Sequence, residues 1–476
     1  MTHYDLLILG SGSGNSLITP YWDDKKVAIV DGGIFGGTCL NVGCIPTKMF
    51  VYPAQLAGST AEAKRLGVDL EFKGARWEEI RDRIFGRIDA ISEGGRKYRD
   101  VELENVDLYA EFATFTSPKS MVTASGKEIT ADKVVIAAGS RAVLPDIPGI
   151  DLPQVHTSDT IMRVDFPERV VVVGSGFIAA EFANIFHSLG ANVTQLSRSG
   201  QLLRGHDPLI SERYTADASK RWSVRHATPT AIESATDGSV VVRYEDPSDC
   251  ASQAIEVAAD VVLFATGRVS NVDRLDPEAA GFDVADGILS VDDFQRVLSN
   301  GEPLEGVFAL GDVSNDYQLK HVANREARVV IHNLEHPDDL RATDHRAVPS
   351  AVFTHPQIAS VGLTEPQARE LAAQEQWPED ELAIAVQDYG STAYGWAMED
   401  QTGFVKLIAR RSTGEILGAH LMGHEASNLI QPLVQAMVFG TDAHSLARAP
   451  FWIHPALMEV VENALLSLNT KDSGAL

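Results

Sequence analysis

The run "YDLLIL" (residues 4–9) is apolar at almost every position, as a strand covered on both faces requires, and it feeds a glycine-rich turn, "GSGSGN" (10–15). A second apolar run, "KKVAIVD" (25–31), ends in an acid, Asp31. A helix is predicted between the two, its N-terminus just beyond the glycines. The same order recurs at "PERVVVVGSGFIAAEFA" (167–183) and "ANVTQLSRSGQLLR" (191–204). Three more apolar runs end in small residues: "KVVIAAGS" (133–140), "DVVLFATGR" (260–268) and "GVFALGD" (306–312). Beyond about residue 346 the glycine turns stop. "PSAVFTHPQIASVGLT", "FVKLIARRSTGEILGAHLMG" and helical patterns at 426–440 and 455–468 then suggest a separate domain. The predicted fold is α/β, with two Rossmann-like dinucleotide-binding domains and a C-terminal α+β domain. The first spans 1–145 and 267–345 and is interrupted by the second, 146–266; the third is 346–476.

In the first unit Gly10 makes the tight turn, Gly12 lets backbone approach a pyrophosphate, and the helix N-terminus offers free N–H groups to it. The third fingerprint glycine is replaced by Asn15, with Gly14 beside it, which should loosen the contact between helix and strand. Asp31 is placed to accept hydrogen bonds from a ribose. In the second unit Gly174, Gly176 and Ala179 occupy the fingerprint positions, and no acid ends the strand that follows. Arg198 and Arg204 stand there instead, unless they are ordinary surface cations. An acid would repel a 2′-phosphate, whereas an arginine fork binds one. The first site therefore suits an unphosphorylated adenosine and the second NADPH. A flavin and a nicotinamide cofactor placed to exchange hydride fit two such units in one chain.

A length of 476 residues favours two to four domains. The net charge of −26 argues against nucleic acid or an anionic membrane as a partner. The N-terminal apolar run is shorter than a signal-peptide core and follows no basic region, so a cytoplasmic protein is expected. In a reducing compartment a structural disulfide is improbable, which makes the pair in "GGTCLNVGCIPTK" (36–48) notable. Residues five apart on a regular helix rise about 7.5 Å, too far for a disulfide, but Asn41 and Gly43 tolerate irregular backbone. Zinc would need four ligands, and no second cysteine pair exists. Two buried structural thiols remain an alternative. Redox chemistry is favoured because the pair follows a flavin-type nucleotide turn in the same unit. Cys250, in "EDPSDC", reads as an incidental loop thiol.

Taken in order, the first glycine turn, "GGTCLNVGCIPTK", the second glycine turn, "ATGRVSN", "ALGD" and "HPALME" make the whole chain resemble the flavoprotein pyridine nucleotide–disulfide oxidoreductases. That family includes glutathione reductase and dihydrolipoamide dehydrogenase. The resemblance implies FAD and NADPH as cofactors, a small-molecule thiol disulfide as substrate, and a homodimer built on the C-terminal domain. It implies that Cys39 attacks the substrate, and that Cys44 faces the flavin as a charge-transfer thiolate. Lys48 would lie near the flavin and pair with Glu181. Asp312 would bond the ribitol, with Gly37, Thr38, Gly139, Ser140, Gly267, Arg268 and Gly311 lining the cofactor sites. His454, in His454–Pro455, would be the acid/base, oriented by Glu459. Pro455 suits a first helical position, which would leave His454 at the cap with a free ring.

Relatives with a further C-terminal cysteine pair are excluded, since "LLSLNTKDSGAL" contains none. An altered dihydrolipoamide dehydrogenase or a glutathione reductase-like enzyme remains open. So does a flavin-bearing redox sensor, although a sensor needs no leaving-group acid such as His454.

Overall fold

The computed structural model describes residues 1–246 and 255–470; Cys250 lies outside the described residues. Three sheets organise the chain. In the first, β1 (Thr2–Leu9) runs parallel to β2 (Val27–Val30) on one side and to the strand Glu128–Ile136 on the other. β3 (Val106–Tyr109) extends it beyond β2, and Glu302–Ala309 adds parallel to Glu128–Ile136. One sheet thus collects strands from both ends of the sequence between residues 2 and 309. The second sheet is parallel throughout, in the order 223–226, 192–197, 169–173, 261–264, 155–156. The third is a five-stranded antiparallel sheet in the order Pro349–Val352, Gln357–Gly362, Ile416–Gly423, Phe404–Arg410, Leu382–Asp388. The α/β fold read from the apolar runs is the observed one.

Those runs are apolar because both faces of each strand are covered. Leu7 and Leu9 pack into one core while Leu6 and Ile8 pack into another on the opposite face. Both units also make their turn alike. Gly10 has φ +103° and Gly174 φ +140°. A Cβ on either would sit 2.3 Å from a carbonyl oxygen, Ala137 O or Ala265 O. Only glycine fits there.

Helices place the chemistry between the sheets. α1 (Gly37–Asn41) and α2 (Cys44–Arg65) are separated by Val42 and Gly43; α3 (Trp77–Lys97) packs on α2. α4 (Phe177–Ser188) opens at Gly176 in the second unit and also packs on α2. α5 (Pro208–Arg221) follows, capped by Asp207, and α6 (Lys320–Glu335) returns to the first sheet.

Four local expectations are corrected. The first glycine turn is not followed by an α-helix but by two 3₁₀ turns, Gly14–Leu17 and Pro20–Trp22. Pro20 has no N–H for a continuing helix and fixes the start of the second turn. Gly14, not residue 15, makes the close contact with the strand: its Cβ would lie 2.7 Å from Ile8 Cγ2, so the packing expected to loosen is retained. At the C-terminus, Pro455 lies in a turn and the helix begins at Glu459, running to Ser467. The pattern at 426–440 is likewise two helices, Ala426–Leu429 and Gln431–Phe439, the second with Pro432 in its first turn.

Candidate active site

A cavity of about 530 Å³ runs from the first glycine turn to the cysteine motif. Gly10, Gly12, Asp31, Gly37 and Thr38 line it at one end; Cys39, Cys44, Lys48 and Glu181 line it further on, with Gly139, Ser140, Arg268, Gly311 and Asp312 between elements of the same unit. Asp31 is already engaged: Ser11 donates from its backbone N at 2.7 Å and its hydroxyl at 2.5 Å, and Gly33 N donates at 2.7 Å. Asp312 accepts from the Ser140 hydroxyl at 2.6 Å, and Arg268 donates to Ser140 O at 2.8 Å. Gly14 is buried behind the turn and Gly267 adjoins Arg268, neither lining the cavity.

The irregular backbone at Val42 and Gly43 does what a regular helix could not. It brings Cys39, on α1, against Cys44, the first residue of α2, so that the Cys39 thiol hydrogen-bonds the Cys44 sulfur. The two groups titrate as a pair. That hydrogen bond, together with burial, pushes the Cys39 thiol up. The same bond pulls Cys44 down to about 7 against its own burial, helped by the charge of Lys48. Cys44 is thus the sulfur that carries the thiolate in this arrangement.

Lys48 lies four residues beyond Cys44 on α2, on the same face. Its ammonium bonds both oxygens of Glu181 at 2.6 and 2.7 Å, and Glu181 is buried on α4. Phe353, from the C-terminal domain, donates its backbone N to Glu181 at 2.8 Å and places its ring 4.6 Å from Lys48 Nζ. Three domains therefore meet at one ion pair. A second cavity, of about 670 Å³, opens beside it between Cys44, Tyr52, Arg83, Arg87 and Phe353.

The second unit offers a separate site. Gly174 and Gly176 form its turn and Ala179 is buried in α4. Arg198 and Arg204 are exposed after the strand Asn192–Ser197, and among the described residues neither side chain has an acidic partner. His454 and Glu459 lie apart from both cavities. His454 Nδ1 bonds Glu459 Oε1 at 2.5 Å, and His454 is 71% exposed with its Nε2 side open. Glu459 is the first residue of its helix, where a carboxylate also meets the positive end of the helix dipole. Ser11, Phe353, Lys320, Arg83 and Arg87 escaped the sequence reading. Ser11 sits inside the first glycine turn, where only the glycines were read; the others are brought to the site by the packing of distant segments.

This constellation is that of a known family. Residues 4–327 match the family described as pyridine nucleotide-disulphide oxidoreductase, and residues 348–465 match its dimerisation domain. The chain belongs to the pyridine nucleotide-disulphide oxidoreductases. It is 50% identical to a mycothione reductase of Mycobacterium tuberculosis, over 98% of this chain and 100% of that protein. A dihydrolipoyl dehydrogenase of Corynebacterium glutamicum is 31% identical, over 97% of each chain. Among solved structures, the HOCl-induced flavoprotein disulfide reductase RclA of Escherichia coli, as its Cu(II) complex, is similar with a TM-score of 0.81 at 25% identity, covering 98% of this chain and 99% of that one. The protein is an NAD(P)H-dependent disulfide oxidoreductase that uses FAD and dimerises through its C-terminal domain. Among the described residues no helix is long and apolar enough to cross a membrane.

Proposed function

We propose that the protein reduces mycothiol disulfide to mycothiol at the expense of NADPH. The observation that carries this reading is the 50% identity to a mycothione reductase along essentially its whole length. The segments "GSGSGNS", "IPTKMFVY", "HVANREA", "YGWAMED" and "WIHPAL" carry the same resemblance. The division into 1–145 with 267–345, 146–266 and 346–476 is supported by the three sheets.

The residues of the main cavity fit FAD: a glycine turn open to a pyrophosphate, Asp31 and Asp312 as acceptors, and the cysteine pair at the far end. FAD bound there would supply the two-electron relay between NADPH and the Cys39–Cys44 disulfide. Lys48, held by Glu181, keeps a fixed positive charge beside that pair. Cys39, as thiolate, attacks one sulfur of the substrate; a mixed disulfide forms and the substrate's own S–S bond breaks. The departing thiolate takes a proton from His454 Nε2, whose ring Glu459 orients through Nδ1. Cys44, as thiolate, then attacks Cys39, releasing the second thiol and closing the disulfide. In sum, one disulfide, one NADPH and one proton give two thiols and NADP⁺. Arg198 and Arg204 receive the 2′-phosphate, which favours NADPH over NADH. A cytoplasmic location follows from this reading, because the enzyme draws on NADPH and works on thiols kept reduced there.

The test measures NADPH oxidation in parallel with mycothiol disulfide, glutathione disulfide and lipoamide. A kcat/KM highest for mycothiol disulfide is expected. Equal values on all three would overturn a dedicated substrate, because discrimination must come from polar contacts to the carrier group and not from the shared sulfur chemistry.

A further inference from the structure

The two glycine turns are continued differently. In the second unit the turn runs straight into α4, whose twelve residues present free N–H groups and the positive end of a dipole to a phosphate. In the first unit it runs into the 3₁₀ turn Gly14–Leu17, four residues long, and no α-helix begins before Gly37. So short a turn aligns few peptide dipoles and offers a diphosphate correspondingly less positive potential. Yet the cavity that fits FAD opens on this turn, with Gly10, Gly12 and Ser13 in its wall.

Among the described residues four cations line that cavity: Lys48, Arg268, Arg274 and Lys320. Lys48 is paired with Glu181, and Arg268 bonds Ser140 and lies 3.5 Å from Asp159. Of the four, only Lys320 bonds the glycine turn: its ammonium donates to the Ser13 hydroxyl at 2.8 Å. Lys320 is the first residue of α6, 307 positions from Ser13 in the sequence, and α6 packs on the 3₁₀ turn itself. Arg99 also reaches the turn, but it lies outside the cavity wall and is engaged with Asn15, donating to its Oδ1 at 2.8 Å and its backbone O at 3.1 Å.

We propose that Lys320 is the counter-charge for the pyrophosphate of FAD, filling at the first turn the role that the N-terminus of α4 has at the second. The inference rests on FAD occupying the main cavity. Ser13 holds the ammonium at the turn where the backbone is open to a diphosphate. An ammonium is a compact charge with three donors, so it bonds phosphate oxygens without the fixed geometry that a guanidinium demands. A side chain from far along the chain thus replaces the missing helix, and α6 becomes part of the grip on the cofactor.

The experiment follows FAD release from the full-length holoenzyme after dilution, by the rise in flavin fluorescence, at low and at high KCl. Lys320→Gln keeps a donor for Ser13 without the charge. At low salt it should release FAD about ten- to a hundredfold faster than the unaltered protein, the range of one hydrogen bond to a charged group. Salt screens the pair, so that ratio should shrink at high KCl. Lys320→Arg keeps the charge and should release FAD at nearly the unaltered rate. An unaltered rate in Lys320→Gln, or a faster rate indifferent to salt, overturns the inference and leaves Lys320 a tie between α6 and the turn. If Lys320→Gln purifies without flavin, FAD titration of the flavin-free chains makes the same comparison. A weakened Kd that Lys320→Arg restores supports the inference, and one that it does not restore overturns it. Unaltered protein that carries no FAD would instead remove the cofactor assignment beneath it.

Discussion

At the scale of single residues, the site separates two thiols that are chemically identical in sequence. Their difference is set by who donates to whom: Cys39 gives its hydrogen bond and Cys44 receives it, so the charge rests on Cys44 at about pH 7. A thiol is ionised above its pKa, and in Cys39→Ser the charge of Lys48 still favours the Cys44 thiolate, so long-wavelength thiolate–flavin absorption should rise in that variant as pH climbs. Cys44→Ser should lack that band at every pH, and both variants should lose disulfide turnover; spectra of the two variants between pH 5 and 9 check this. Bands with the opposite assignment would exchange the two roles. Arg198 and Arg204 act at the same scale. A hydrogen bond to a charged group is worth about 1.5–3 kcal/mol, so each could contribute roughly ten- to a hundredfold to the choice of NADPH. Neutralising both should raise the KM for NADPH and leave that for NADH nearly unchanged in steady-state assays. An unaltered protein that uses the two coenzymes equally would remove the basis for that expectation.

At the scale of elements, the two glycine turns show what a sequence can disclose. Gly10 and Gly174 were legible because no other residue satisfies a positive φ with a carbonyl 2.3 Å from the Cβ position. The cysteine motif was legible because the pair follows a flavin-type glycine turn and Asn41 and Gly43 tolerate irregular backbone, and α1 and α2 do break between the sulfurs. What followed the first turn was not, because the strand–turn–strand frame masks whether its connection is helical, and Pro20 was the one local sign that it is not. The Glu181–Phe353 contact was illegible for a different reason: its partners are 172 residues apart and meet only through tertiary packing. The turns also permit a selective lesion. Gly174→Ala forces a methyl group into Ala265 O in the second unit and leaves the first untouched. The purified variant should retain its flavin absorbance while the KM for NADPH rises at least tenfold. Loss of flavin with NADPH affinity intact would reverse the assignment of the two sites.

At the scale of the whole molecule, the domains are held together by buried polar contacts as well as apolar ones. Asp207, at the head of α5, bonds Lys406 of the third sheet at 2.8 Å, and Lys406 also bonds Glu365 at 2.7 Å. Burial alone would push the Asp207 carboxyl up, but Lys406 and the backbone N–H groups of Glu365 and Leu209 hold it below the usual range. Nearby His206 is driven down to about 4 by burial, with His420 adding to the shift, so it stays neutral at working pH. This network fixes the second unit on the C-terminal domain.

The same domain exposes Phe451 fully, Ile453 at 76% and Phe439 at 75%, and His454 directly follows Ile453. An apolar face of that kind needs a cover, and in a homodimer the partner's copy supplies it. His454 lies at this face and lines neither cavity of its own chain, which leads to a prediction about where its catalytic partner sits. Each active site should combine Cys39 and Cys44 of one chain with His454 and Glu459 of the other. Cys39→Ser and His454→Ala should each be inactive as pure dimers. Co-expressed with free pairing, about half the dimers are mixed, and each mixed dimer holds one doubly damaged site and one intact site. Disulfide-reductase assays of the mixture should therefore recover about a quarter of wild-type activity. If the cysteines and the histidine met within one chain, every site would carry a lesion, and mixing would restore nothing.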